Sequence, residues 1–390
     1  MKKVIALIMA LVLMFALCAC GGGSSKEDTV KIGIFEPASG SNGAGGKQET
    51  LGIKYANSIC PTVEIGGKTY NVELVPVDNE SDNAKAPTAA ATLVNAECSI
   101  VLGSYGSGVS MAGGPTFEEA GIPVLGVTCT NQLVTEGNTY YFRICFLDPF
   151  QGTVLGNYAY NELKTTKAYC LSELGDDYST NLVSCFVEAF EKAGGECVTD
   201  SFPKDSSDYT SYIANAKNQG CGVFFAPVSI QSAQLIIDQA EAQGLNMPLL
   251  AGDTWDSNTV LQAAEGKSDI DITVTTFYPE GANADFDNGF KQWVNADSTL
   301  LAENGGDDTV AAVTAMGYDA YFFALEALKN AGSTDAADVM SALWKTEVDG
   351  VSGHIALDQV NGDAIRNTAY VKHANTETGV WDALPAVTIG

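Results

Sequence analysis

The sequence predicts an α/β protein of two lobes, each a doubly wound parallel sheet. Its 390 residues are enough for two cores of ordinary size. From Val30 onward, short apolar runs alternate with stretches of helical period in units of about 25–30 residues, the mark of repeated βα units. The arrangement over Lys31–Gly126 then recurs over Lys167–Gly252. The apolar runs are continuous, not alternating, as parallel strands covered on both faces require.

Strands are predicted at Val30–Phe35, Val72–Val77, Ile100–Gly103, Pro123–Val127, Tyr140–Phe146, Lys167–Leu171, Glu196–Phe202, Gly222–Val228, Pro248–Ala251 and Ile272–Phe277. Helical stretches fall at Gln48–Ile59, Ala84–Asn95, Gly152–Leu163, Thr180–Ala193, Asp208–Asn218 and Gln231–Gln243, with stops at Gly121 and Gly244. Ligands of such sheets gather at the carboxyl ends of the strands. The residues that follow strands are therefore the candidates: Ser104-Tyr105-Gly106-Ser107-Gly108, Thr128-Cys129-Thr130, Glu173 to Tyr178, and Gly252-Asp253-Thr254-Trp255. Hydroxyls and free amides at helix starts suit a carboxylate. A lone carboxylate such as Asp253 suits an ammonium group. Together they describe the two ends of a zwitterion. Singly, Ser107, Thr128 and Thr130 also read as caps or turn residues; only convergence on one cleft favours a ligand.

Before the first strand lies a leader. Lys2-Lys3 precede an apolar run, Val4 to Leu17, that is shorter than the roughly 20 residues a membrane span needs. The run exits through Leu17-Cys18-Ala19-Cys20 into Gly21-Gly22-Gly23-Ser24-Ser25, as a signal peptide does. The segment resembles a bacterial lipoprotein signal, with Cys20 as the lipidated residue. Residues 1–20 are then the signal and 21–29 a flexible tether. Loss of Lys2 and Lys3 makes the net charge of −28 more negative still. Such a surface repels phosphate backbones, so nucleic acid is not an expected partner; it favours a monomer outside the cell.

Several chemistries are set aside. The eight cysteines after Cys20 form no C-x-x-C pair, and His354 and His373 are the only histidines, so zinc, iron–sulfur or other cofactors are not expected. The cysteines read instead as scattered core thiols. Gly40–Gly46 lacks the G-K-[ST] of a phosphate loop. A Ser–His–Asp hydrolase around Ser107 would need a histidine from far along the chain. Asp176-Asp177 reads as a solvated loop before it reads as a metal pair. Trp255, beside Asp253, is the one tryptophan expected at the cleft.

The chain from about Thr29 to Thr378 resembles the branched-chain amino-acid-binding family of type 1 periplasmic binding proteins. The matching stretches include Val30–Ile34 with Ser39-Gly40, Leu102–Ser107, Gly121–Val124, Tyr141–Arg143, Phe190–Gly195, Gly252–Ser257, Gly317–Ala320 and Asp349–Gly353. The resemblance implies two lobes joined by three crossovers: 30–146 plus 279–350, and 147–278 plus 351–390. It implies a receptor, not an enzyme, that closes on an amino-acid-like ligand and delivers it to the permease of an ABC importer. A sensory subunit of the same fold, or a binder of another small carboxylate, amide or peptide, is the alternative. Residue by residue, it implies that Ser107 meets the ligand carboxylate, Thr130 both charged ends, the Thr128 carbonyl the ammonium, Tyr178 the opposite face, and Asp253 the ammonium. The chain departs from the family in the run Gly43-Ala44-Gly45-Gly46 where an aromatic is usual, in Val228-Ser229 for a tyrosine, in Ser179 for a glycine, and in Gly106 for a disulfide cysteine. A wider or differently filled side-chain pocket is the expectation.

Overall fold

The computed structural model describes residues 28–388, so the leader and Cys20 lie outside the described residues. The first sheet is built from β1 (Thr29–Glu36), β2 (Thr62–Ile65), β3 (Lys68–Asp78), β4 (Ile100–Leu102), β5 (Val124–Gly126) and β6 (Tyr141–Arg143), in the order β2-β3-β1-β4-β5-β6. All neighbours run parallel except the hairpin partner β2. The second sheet holds β7 (Lys167–Glu173), β8 (Glu196–Phe202), β9 (Val223–Phe225), β10 (Leu249–Ala251) and β11 (Ile272–Thr276). To these it adds β14 (Thr368–Asn375) and β15 (Val380–Ala383), in the order β15-β14-β11-β10-β9-β7-β8. Its parallel part, β8-β7-β9-β10-β11, repeats the winding of β3-β1-β4-β5-β6. The predicted repeat is thus one of topology as well as of composition.

Burial explains the strand sequences. Every residue of β4, β5, β6, β9, β10 and β11 is buried, because each of these strands lies inside its sheet or under helices. The edge strand β8 is mostly half-exposed and accordingly mixes Glu196, Thr199 and Asp200 with its apolar residues. Helix Ala312–Ala331 crosses behind the first lobe against helix Gly43–Ile59, and helix Ala284–Asn295 packs Phe286, Phe290 and Trp293 around Tyr55.

The chain passes between the sheets after β6, after β11 and again before β14. The hairpin of β12 (Glu347–Gly350) and β13 (Gly353–Ala356) pairs residues on both sides of the boundary expected at residue 350, and Ile355 is buried with the first-lobe residues Ile32 and Leu51. A buried ion pair and a buried carboxylate fasten these passages. Arg143 Nε meets Asp363 Oδ1 at 2.5 Å, and Asp319 accepts from the backbone amides of Val351 and Ser352 at 2.8 and 2.9 Å. The eight cysteines within the described residues are free thiols: Cys98, Cys129, Cys145, Cys170 and Cys221 are buried, and Cys60, Cys185 and Cys197 half-buried.

Candidate ligand-binding site

The carboxyl ends of the two sheets face one another, and the turns that leave them meet across the lobe boundary. Tyr105, after β4, donates its hydroxyl to the Thr254 carbonyl, after β10, at 3.2 Å. Asn131, after β5, donates to the Asp177 carbonyl at 2.9 Å. The start of helix Ile230–Ala242 docks on the first lobe, its Ile230 amide on Asn42 Oδ1 at 3.1 Å and its Gln231 amide on the Ser41 carbonyl at 3.2 Å. The lobes are closed. Gly108 makes the approach possible: a Cβ there would sit 2.9 Å from the Asp177 carboxylate.

At the second-lobe wall, Asp253 opens a short 3-10 turn, Asp253–Trp255, and is buried. Its Oδ1 accepts from Gln151 Nε2 at 2.8 Å and from the Tyr178 hydroxyl at 3.0 Å. Burial, reinforced by the nearby charge of Asp148, pushes the Asp253 carboxyl up to about 7. Asp148 is itself raised to about 6 by burial. A cationic group arriving here would meet an anion with no fixed positive partner.

The first-lobe wall carries the hydroxyls. Ser107 begins helix Ser107–Ala120, and its Oγ accepts from the Asn131 amide at 3.2 Å. It is not the cap, since Gly106 holds that position. Thr130 is 0% exposed, its hydroxyl lies beside the Asp148 carboxyl group, and its carbonyl accepts from the Asp148 amide at 2.9 Å. The Thr128 hydroxyl donates to the Glu49 carboxylate. Arg143 holds this loop from beneath, donating to the carbonyls of Cys129 and Asn131 at 2.8 and 2.6 Å. Thr130 and Asp253 are linked across the lobes by Asp148 and Gln151, whose side chains meet at 3.4 Å. This relay joins the turn of Thr130 to the turn of Asp253, while Tyr105 and Tyr178 line one cavity. That cavity, of about 300 Å³, is lined by Asn42, Tyr105, Gly106, Asp176, Tyr178 and Thr254; Ser107, Thr128, Thr130 and Asp253 are not on its wall. A larger one, about 500 Å³, lies away from these residues between Glu280, Lys372 and Trp381.

Some expectations change. Trp255 is fully buried and its indole donates to the Val228 carbonyl at 3.0 Å. It anchors the turn that presents Asp253, and its polar handle is not free for a ligand. The glycine run is the first turn of helix Gly43–Ile59, not a loop. A Cβ on Gly45 would fall 2.6 Å from the Tyr105 ring, so Tyr105 fills the space that a side chain there would claim. Asp176 caps helix Asp177–Ala193, accepting from the Ser179 amide at 2.8 Å. His354 and His373 pair with Asp349 and Asp271, at 2.7 and 2.9 Å, while Ser107 meets a backbone amide.

Sequence reasoning passed over Glu36, Glu49, Asp148 and Gln151. Glu36 ends β1 and so obeyed the same positional rule as the residues that were found. The other three sit within helices, where only their burial marks them.

Residues 29–377 match the periplasmic binding protein family over most of the chain. The chain belongs to that family. Among curated relatives, the Leu/Ile/Val-binding protein homolog 2 of Brucella abortus is 27% identical over 343 residues, covering 85% of this chain and 87% of the relative. Among solved structures, the leucine binding protein LivK of Thermotoga maritima is 30% identical with a TM-score of 0.80, over 92% of this chain and 99% of that one. The branched-chain amino acid transporter substrate binding protein LivJ of Streptococcus pneumoniae, solved with isoleucine, is 25% identical with a TM-score of 0.79, over 93% and 100%. As a periplasmic binding protein, this chain is a two-lobed solute receptor of the type I fold.

Proposed function

We propose that the protein is the solute receptor of an ABC importer, held outside the cell by lipid on Cys20, and that it closes as a monomer on an α-amino acid and delivers it to a permease. One observation carries the ligand class. A fully buried Thr130 hydroxyl, with the helix start at Ser107 nearby, stands on one wall, and Asp253, positioned by Tyr178 and Gln151, stands on the other. The first suits the carboxylate end of a zwitterion, and the second suits the ammonium end. The names of the relatives, leucine and isoleucine among their ligands, agree with this reading. Binding excludes water from both charges, so each must be compensated by the walls, and closure supplies the second wall.

A thermal-shift panel of amino acids, amides, small peptides and aromatic carboxylates on the mature chain tests it. A ligand at a hundredfold excess over its Kd stabilises by about 2.7 kcal/mol. Branched-chain amino acids should give the largest shifts; shifts confined to molecules without an α-ammonium would overturn the assignment. Lipid labelling in cells that is lost in Cys20→Ser tests the anchor, and retained labelling would exclude Cys20.

A further inference from the structure

The cleft floor holds two acids that the ligand scheme leaves unused. Glu36 ends β1, Glu49 lies early in helix Gly43–Ile59, and both are buried. Their carboxyl groups are within hydrogen-bonding reach of each other. Each also holds a residue of the site. Glu36 Oε2 accepts from the Tyr105 amide at 2.6 Å, and the Glu49 carboxylate accepts from the Thr128 hydroxyl. The remaining oxygen of each, Oε1, is buried without a donor from the protein. Two facing carboxylates so enclosed would repel and lack solvation, whereas one proton between them makes a strong charge-assisted hydrogen bond.

We propose that Glu36 and Glu49 share a single proton, and that this carboxyl–carboxylate pair positions Tyr105 and Thr128 for the ligand. The positioning half rests on the ligand reading above; the shared proton does not.

The surroundings single out this pair as the group that titrates near neutrality on the floor. From the turn after β4 it is faced by Tyr105, from the turn after β5 by Cys129, and from β6 by Tyr141. Burial pushes the Cys129 thiol up to about 11 and both phenols well above their usual range, so all three stay neutral. Arg143, which acts on Cys129, is engaged by Asp363. Burial and the neighbouring acid raise Glu36 well above the ordinary carboxyl range, and burial raises Glu49 to about 7. Because these values are raised, the folded chain holds a proton that the unfolded chain has released. The contribution of this pair to stability and to the readiness of Tyr105 and Thr128 is therefore complete at acid pH and is lost as pH rises through the raised values. For one linked proton the affinity falls by up to about tenfold per pH unit.

Glu36→Gln is the informative variant. Its amide can donate permanently to Glu49 while its carbonyl accepts from Tyr105, a fixed copy of the protonated acid. The infrared difference between the ligand-free wild type and Glu36→Gln should show a protonated-carboxyl band near neutral pH that fades in alkali. Calorimetry with L-leucine should show affinity falling on the alkaline side for the wild type and staying flat for the variant. The difference between the two proteins removes the contributions of Asp148, Glu173 and Asp253. Glu49→Gln, which can donate to Glu36 in the same way, serves if the first variant does not fold. A protonated-carboxyl band undiminished by either substitution, or variants that follow the wild-type pH profile, would overturn the shared proton whatever leucine does. An intact band without leucine binding at any pH would support the shared proton and overturn the branched-chain ligand assignment instead.

Discussion

Replacing Asp253 by asparagine separates the charge of the second-lobe wall from its shape. The carboxylate is 3% exposed, and one oxygen already accepts from Gln151 at 2.8 Å and Tyr178 at 3.0 Å. Asparagine keeps an acceptor in that place, so the ligand-free fold should retain both bonds. An arriving ammonium group, however, loses its anion. Removing one partner of a buried pair costs about 3 kcal/mol at the low end, or roughly a hundredfold in Kd at 1.4 kcal/mol per tenfold. The pH dependence has a definite sign. Burial raises the wild-type carboxyl to about 7, so below that pH the ligand-free site holds a proton that the ammonium must displace. Wild-type affinity should climb by up to about tenfold per pH unit on the acid side and level off near neutrality. Asp253→Asn should be weak and should lack this acid-side rise. Calorimetry with L-leucine from about pH 5.5 to 7.5, with melting curves of the ligand-free proteins alongside, measures both effects. Affinity within threefold of wild type in a folded Asp253→Asn protein would refute the assignment.

Three further outcomes follow from the contacts around the cleft. Gly45→Ala places a methyl 2.6 Å from the Tyr105 ring; it should favour the open form in small-angle scattering and weaken leucine binding, although alanine gains about 1 kcal/mol of helix propensity over glycine. Asn42→Ala removes the acceptor for the Ile230 amide and should speed leucine dissociation in stopped-flow by several-fold, the worth of about 1 kcal/mol in the closed form. Arg143→Met leaves Asp363 buried without its partner and frees the Thr128–Asn131 loop, and it should lower folding stability in denaturant titration by about 3–5 kcal/mol.

Position was more legible in the sequence than partnership. The strand at Glu196–Phe202 was predicted to the residue, and the rule that ligands gather after strands pointed to turns that do touch, Tyr105 with Thr254 and Tyr178 with Asp253. Helix Ser107–Ala120 escaped because Gly108, Gly113, Gly114 and Pro115 interrupt its apolar period. Those residues answer to neighbours: a Cβ at 108 would fall 2.8 Å from the Asn83 side chain and 2.9 Å from that of Asp177 in the other lobe, contacts that no local pattern encodes. Trp255 was misjudged for the same reason. Adjacency to Asp253 placed it correctly along the chain, but the carbonyl that claims its indole belongs to Val228, some thirty residues earlier. Glu36 and Glu49 are thirteen residues apart, and only the packing of helix Gly43–Ile59 on β1 brings their carboxyls together.

The thiols bear on how such a chain matures. Most of them are enclosed, and burial holds Cys98 and Cys129 near 11 and Cys185 near 12, far from the thiolate that reacts with oxidants. Among the described residues the fold is held together without a sulfur bridge. Air, glutathione or an anoxic milieu should leave its melting temperature the same, and the swing of the two halves is restrained by packing and ion pairs instead of by sulfur bridges.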